Sequence, residues 1–206
     1  MKNGDTGTRV NTKSGKISFL WEGQEPSEVE IHRANQESLR RRDNFMCAAK
    51  YVAMEFSRIA AVQRVVLFGS VSAPPYKESY FRALNENTGA EVYHSCADID
   101  LAVWIDDMQS IVDLRRARMN ALSRLMSEKG IGVAHHQLDV FILNKRDDCY
   151  LGRLCIFRKC PAGKYVCGVD GCGTPNYLRI HEGFTFYMST MESSYPKCLF
   201  ERPVAI

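Results

Sequence analysis

The sequence predicts an α+β fold, strands and helices in one domain, followed by a small cysteine-rich module at the C-terminal end. Three observations predict it. Short runs of β-branched, aliphatic and aromatic residues recur at Arg64–Phe68, Ile99–Ile105 and Leu138–Leu143, the mark of buried or half-buried strands. Two longer segments, from Pro26 to about Ala61 and from Asp107 to Lys129, carry apolar residues at three- and four-residue steps, as core-facing helices require. Four cysteines follow in the pattern C-x4-C-x6-C-x4-C, at Cys155, Cys160, Cys167 and Cys172.

Met1 to Lys16 is polar and rich in Gly, Thr and Lys. It has no apolar stretch of signal-peptide type, so residues 1–25 are predicted to form a flexible tail. Pro26-Ser27-Glu28 then opens the first helix, expected to run with a break. Phe45, Ala48, Ala49, Val52, Phe56 and Ile59 form its apolar face. Arg40-Arg41-Arg42 lies on its N-terminal half. A solvated face is the simple reading of that run; a contact to triphosphate or RNA is the other.

The first strand ends in Gly69-Ser70, and the second opens with Asp98-Ile99-Asp100. Side chains alternate across a strand, so Asp98 and Asp100 share a face. In the second helix Ile111, Leu114, Ala117, Ala121, Leu122 and Leu125 supply the apolar side. Arg115, Arg116, Arg118 and Arg124 are expected to face solvent opposite them, and Gly130 and Gly132 end the helix. His135-His136 precede the third strand; as neighbours on a strand they would point to opposite faces, which argues against joint metal ligation and favours one of them near the active site. Asp139 sits mid-strand between Leu138 and Val140, where an unpaired buried carboxylate would be costly. Strand-end aspartates such as Asp106 and Asp107 read simply as turn caps.

A chain of 206 residues suits one domain with a small appendage. A net charge of +3 makes no case for nucleic acid by itself. No run of about 18 apolar residues is present, so no membrane partner is expected and the predicted location is cytoplasmic. In that compartment the eight cysteines point to thiols or metal ligands rather than disulfides.

Gly69-Ser70 at a strand end, Asp98-x-Asp100 on the next strand and Asp139 on a later one together resemble the DNA polymerase beta-like nucleotidyltransferase superfamily, most closely its minimal nucleotidyltransferases. The resemblance covers about residues 45–145. It implies a nucleotidyltransferase-type mixed β-sheet flanked by helices. It implies that Gly69 and Ser70 grip the triphosphate of a nucleoside triphosphate, glycine by allowing close backbone approach. Asp98, Asp100 and Asp139 would be the catalytic carboxylates and would hold two Mg²⁺ ions, with Asp139 serving the attacking hydroxyl and able to act as general base. The acceptor could be a protein hydroxyl, a small molecule or an RNA end, and pyrophosphate would leave. Residues 71–97 depart from the compact pattern: they form a long insertion with the turn residues Pro74-Pro75, Asn85, Asn87 and Gly89 and with Tyr76, Tyr80, Phe81 and Tyr93, suited to a lid or a substrate loop. The rival reading is a non-catalytic nucleotide-binding or antitoxin-like interaction protein; the intact acidic residues argue against it.

The cysteine spacing, with Pro161-Ala162-Gly163 and Gly171-Cys172-Gly173 beside the thiols, suits a structural four-sulfur Zn²⁺ site. Cys149, His181 and Cys198 are possible replacement ligands. An iron–sulfur cluster, or thiols without a metal, would also account for the residues. A zinc element that binds nucleic acid has thin support, from Arg153, Arg158, Lys159 and Lys164. Beyond it, Tyr177–Ile180 and Phe184–Tyr187 read as short strands or packing segments, and Pro196–Ile206 carries no pattern. The expected organisation is a tail over 1–25, a nucleotidyltransferase domain over 26–148 and a cysteine-rich module over 149–206.

Overall fold

The computed structural model describes residues 27–75, 91–155, 177–179 and 185–203. Helix α1 (Glu28–Ser57) is continuous, without the expected break. No Gly or Pro interrupts it, and its start is fixed by a reciprocal capping box between Ser27 and Glu30. Strand β1 (Val62–Phe68) follows and begins two residues before the predicted strand, because a bulge between Val62 and Arg64 keeps Val62 paired to Ile105. Strand β2 spans Ile99–Ile105, helix α2 Ile111–Lys129 and strand β3 Leu138–Asn144. Gly130 ends α2 in the left-handed conformation (φ 66°), its N–H bonded to Met126 O.

After β3 come strands β4 (Tyr150–Leu154) and β5 (Leu178–Arg179), helix α3 (Met188–Glu192) and strand β6 (Lys197–Glu201). All six strands join one mixed sheet in the order β5-β4-β3-β2-β1-β6. Among the described residues only β2 and β3 pair in parallel, and α2 is the crossover between them, as parallel neighbours need. The sheet crosses the boundary expected at residues 148–149. Among the described residues β4 and β5 extend one edge and β6 the other, and Cys160, Cys167 and Cys172 of the expected cysteine-rich module lie outside the described residues. Strand β6 falls in the stretch that carries no pattern. Thr185–Tyr187, expected in part as strand, is irregular; Phe186 packs on the sheet and Tyr187 starts α3.

Alternation along the strands makes two unlike faces. Val65, Leu67, Ile99, Leu101, Val103, Leu138, Val140 and Ile142 pack with α1 and α2 in the main core. Val66, Ala102, Trp104, Phe141 and Leu143 face the other way, covered in part by Met191 of α3, Phe186 and Tyr150. The helices are locked together by buried Glu55, which pairs with Arg58 and with Arg124 of α2.

The arginines of α2 do not form a solvated side. Arg116 stays exposed, but Arg115 lies 3.7 Å from the Tyr177 ring centroid. Arg118 is only 1 % exposed and donates to Cys155 O at 3.3 Å; burial lowers its guanidinium to about 10. The helix turns Arg118 inward with Leu114, Ala121, Leu122 and Leu125, because it shares their stripe.

Arg202 fastens the C-terminal strand. Its guanidinium donates to Val62 O at 2.9 Å and to Ser57 O and Ile59 O at 3.0 Å each. The three carbonyls span the turn from the end of α1 into β1, so one side chain ties that turn to the chain just past β6. Arg202→Ala is expected to cost about 2–3 kcal/mol, the worth of charged hydrogen bonds, measured as a shift of the urea midpoint. A change under about 0.5 kcal/mol, the size of an ordinary surface substitution, would show that β6 needs no such clamp.

Candidate active site

The site forms where the N-terminal ends of β2 and β3 meet the C-terminal end of β1. Asp100 and Asp139 are direct partners in the parallel pairing of β2 with β3, so their side chains leave the sheet on the same face. Asp98 lies two residues before Asp100 and shares that face. The structure brings all three together: one carboxylate oxygen from each lies within 4.8 Å of the others.

Phe68 of β1 pairs with Asp100, which places Gly69 directly beside that carboxylate. Gly69 has φ +75°, and a Cβ built there would collide with Asp100 Oδ2 and lie 3.3 Å from its Cγ. Glycine is demanded twice, by the backbone and by the neighbour. The Gly69–Val71 turn is a single 3-10 turn. Gly69 O accepts from Ala73 N at 3.1 Å and from Ser72 Oγ at 3.0 Å. Ser70 O accepts from His94 Nε2 at 3.1 Å and from the Cys96 thiol at 3.5 Å. Burial pushes that thiol's pKa up, so Cys96 acts as a packed donor.

The residues just past helix α3 reach the same turn. Gly69 N donates to Ser194 Oγ at 3.2 Å, and the Ser72 hydroxyl, whose one proton is shared between two carbonyls, also reaches Ser194 O at 2.9 Å.

Negative charge is crowded here. Burial, then the Asp98 and Asp139 charges, push Asp100 up to about 7. Burial and the Asp139 charge raise Asp98, and the Arg153 and Arg41 charges act against them. Arg153 of β4 forms an ion pair with Asp139 Oδ2. Two of the three carboxylates thus resist ionisation, as expected where like charges converge without enough compensation. Clustered hard oxygens that repel one another fit a divalent cation such as Mg²⁺, which binds oxygen and supplies the missing positive charge. Phe68, Phe141, Tyr150 and Phe186 continue the same sheet face, with Phe141 5.5 Å from both Phe68 and Phe186 between ring centroids.

Compared with protein-family models, with curated proteins and with solved structures, the chain gives no match.

The structure also places residues the motifs do not reveal. Ser194, His94 and Arg42 come from three different parts of the chain and meet at the turn only through the fold, and Arg153 reaches Asp139 from β4. Arg153 carried one local signal, a cation on a short strand-like run. Of the four cysteines expected to bind zinc, only Cys155 is described; it is buried, and its N–H donates to Tyr177 O at 2.7 Å. Cys160, Cys167 and Cys172 lie outside the described residues, as do residues 76–90 of the insertion and His181. His135 and His136 form a 3-10 turn ahead of β3 and both are exposed. No helix among the described residues is long and apolar enough to cross a membrane.

Proposed function

We propose that the protein is a Mg²⁺-dependent nucleotidyltransferase, which moves a nucleoside monophosphate from a nucleoside triphosphate to a hydroxyl acceptor and releases pyrophosphate. The observation that carries this reading is the convergence of Asp98, Asp100 and Asp139 on one sheet face, against a glycine turn that no side chain can enter. Asp98 and Asp100 would hold the metal ions, with Asp139 ligating on the acceptor side. Two bound Mg²⁺ would supply a Lewis-acid clamp on the entering and leaving oxygens of an in-line displacement. The chain's own groups do the rest. Gly69 lets the backbone of the turn close directly against Asp100, and the turn would face the triphosphate. Asp139 lies at the β3 end of the cluster, where it can take the acceptor proton as the new bond to the α-phosphorus forms. Arg153 holds Asp139 in place and offsets its charge.

Incubation with labelled ATP, GTP, CTP or UTP and Mg²⁺, with candidate protein, RNA and small-molecule acceptors, tests the reading by mass spectrometry. The expected product is an acceptor heavier by one nucleoside monophosphate, with pyrophosphate formed in equal amount. No transfer to any class of acceptor, and no pyrophosphate release, would overturn the reading.

For Cys155, Cys160, Cys167 and Cys172 the proposal is one structural Zn²⁺. Residues 156–176 join β4 to β5, whose ends are tied at Cys155 and Tyr177. That segment has few large apolar residues, mainly Ile156, Phe157, Tyr165 and Val166. They are too few to offset about 1–2 kcal/mol of ordering entropy per residue, whereas a structural zinc can contribute on the order of 10 kcal/mol. Elemental analysis of protein purified without added metal should find about one zinc per chain, the stoichiometry of a four-ligand site. Protein free of zinc and iron, with this segment protected from proteolysis, would return the cysteines to packing roles.

A further inference from the structure

Arg40, Arg41 and Arg42 are consecutive on α1 but have three different fates. Arg40 is exposed and paired with Glu37 on its own helix. Arg42 spends its donors on the Gly-Ser turn, at 3.1 Å to Val71 O and 3.0 Å to Ala73 O. Arg41 does neither. Its guanidinium lies over the Phe45 ring, 5.2 Å from the centroid. Its one hydrogen bond among the described residues is long, 3.4 Å from Nη2 to Ala97 O, the residue before Asp98. Its Nε is buried with no partner. A guanidinium has five donors in a planar fork that matches phosphate geometry, so most of this fork is unspent beside the carboxylate cluster. Burying donors without partners is costly, and the cost is recovered when an anion arrives. The cluster's three carboxylates would repel such an anion; Arg41 bonds the residue before Asp98 and its charge acts on that carboxylate, whereas Arg153 is paired with Asp139.

We propose that Arg41 binds the polyphosphate chain of the nucleotide, as a phosphate-binding residue of the site in addition to Gly69 and Ser70; the assignment rests on the nucleotidyltransferase reading. It gives the arginine run two roles. Arg42 shapes the turn, and Arg41 supplies charge to what the turn holds.

The test measures binding rather than turnover. Calorimetry with Ca²⁺ and ATP, and separately with Ca²⁺ and pyrophosphate, is run on the full chain for the wild type, Arg41→Met, Arg41→Lys and Asp98→Ala. Arg41→Met is expected to weaken both probes about 10- to 100-fold, the worth of charge-assisted hydrogen bonds. Arg41→Lys should recover part of the loss, since Lys keeps the charge without the fork. Both variants should keep the wild-type melting temperature within a few degrees. Wild-type affinity for both probes in Arg41→Met, with binding lost in Asp98→Ala, overturns the role of Arg41 and leaves the nucleotidyltransferase reading standing. A loss for ATP with pyrophosphate unchanged also overturns it, because Arg41 would then be reading the nucleoside. Absence of binding by the wild type removes both. Should Arg41→Met fail to fold, the comparison of Arg41→Lys with the wild type decides.

Discussion

Asp100→Asn is expected to lose nucleotide transfer by about a thousandfold or more, while the metal-free protein becomes more stable at pH 8. The loss follows from the several kcal/mol that metal clamping contributes to the transition state, at 1.36 kcal/mol per tenfold in rate. The gain follows from the crowded charge. In the folded chain burial and two neighbouring carboxylates raise Asp100 from 3.8 to about 7. The folded state therefore holds a proton that the unfolded chain has already released between those values. Stability from this group is fully present below about pH 4 and is lost as pH rises through 7. At 1.36 kcal/mol per unit, the ceiling of the loss is about 4 kcal/mol. Asn keeps the size of the side chain and removes the charge. The variant should therefore gain about 1–3 kcal/mol at pH 8, some part of that ceiling, and show a flatter stability profile between pH 5 and 8. Urea denaturation at pH 5 and pH 8 with EDTA checks this, and Mg²⁺ should raise the pH 8 stability of the wild type more than that of the variant. Equal pH profiles for the two proteins would show that Asp100 is not under charge strain. Undiminished Mg²⁺-dependent transfer in the Asp98→Ala, Asp100→Ala double variant would place the chemistry elsewhere.

Gly69→Ala should be the most damaging single methyl group in the site. A left-handed backbone costs a non-glycine residue about 1–2 kcal/mol. The added Cβ would also meet the Asp100 carboxylate. The turn has little room to yield. Gly69 O and N are both hydrogen-bonded, Ser70 O is held by His94, and Arg42 ties Val71 and Ala73 to α1. Asp100 must move instead, and a displacement of about 1 Å at a reacting centre can cost about a hundredfold in rate. The expected result is a melting temperature lower by several degrees, weaker Mg²⁺ binding and transfer reduced about a hundredfold. Wild-type Mg²⁺ affinity in a folded Gly69→Ala protein would contradict the close approach of Gly69 to Asp100. The two variants move stability in opposite directions and activity in the same one, which separates damage to the fold from damage to the site.

What the sequence alone determined is local. The strands β1, β2 and β3, the crossover helix α2 and the core face of α1 follow from periodicities that adjacent residues carry in themselves. So does the shared face of Asp98 and Asp100, because alternation is a property of one strand. The cost of burying Asp139 between Leu138 and Val140 marked it as a residue with a partner. The continuity of α1 was also written locally, in the absence of Gly and Pro, although a break was expected there. What only the tertiary structure decided is register and closure. That Asp139 stands level with Asp100, rather than two residues away, is set by how β2 and β3 pair across a helix. That Gly69 is excluded from carrying a side chain depends on Asp100, 31 positions later in the chain. Strand β6 has too short a pattern to be recognised and exists because β1 offers it an edge. Arg41, Arg118 and Arg153 are alike as residues. One stands by the carboxylates with donors to spare, one is buried under Cys155, and one is paired with Asp139, because long charged side chains take their meaning from neighbours that the chain brings to them only on folding.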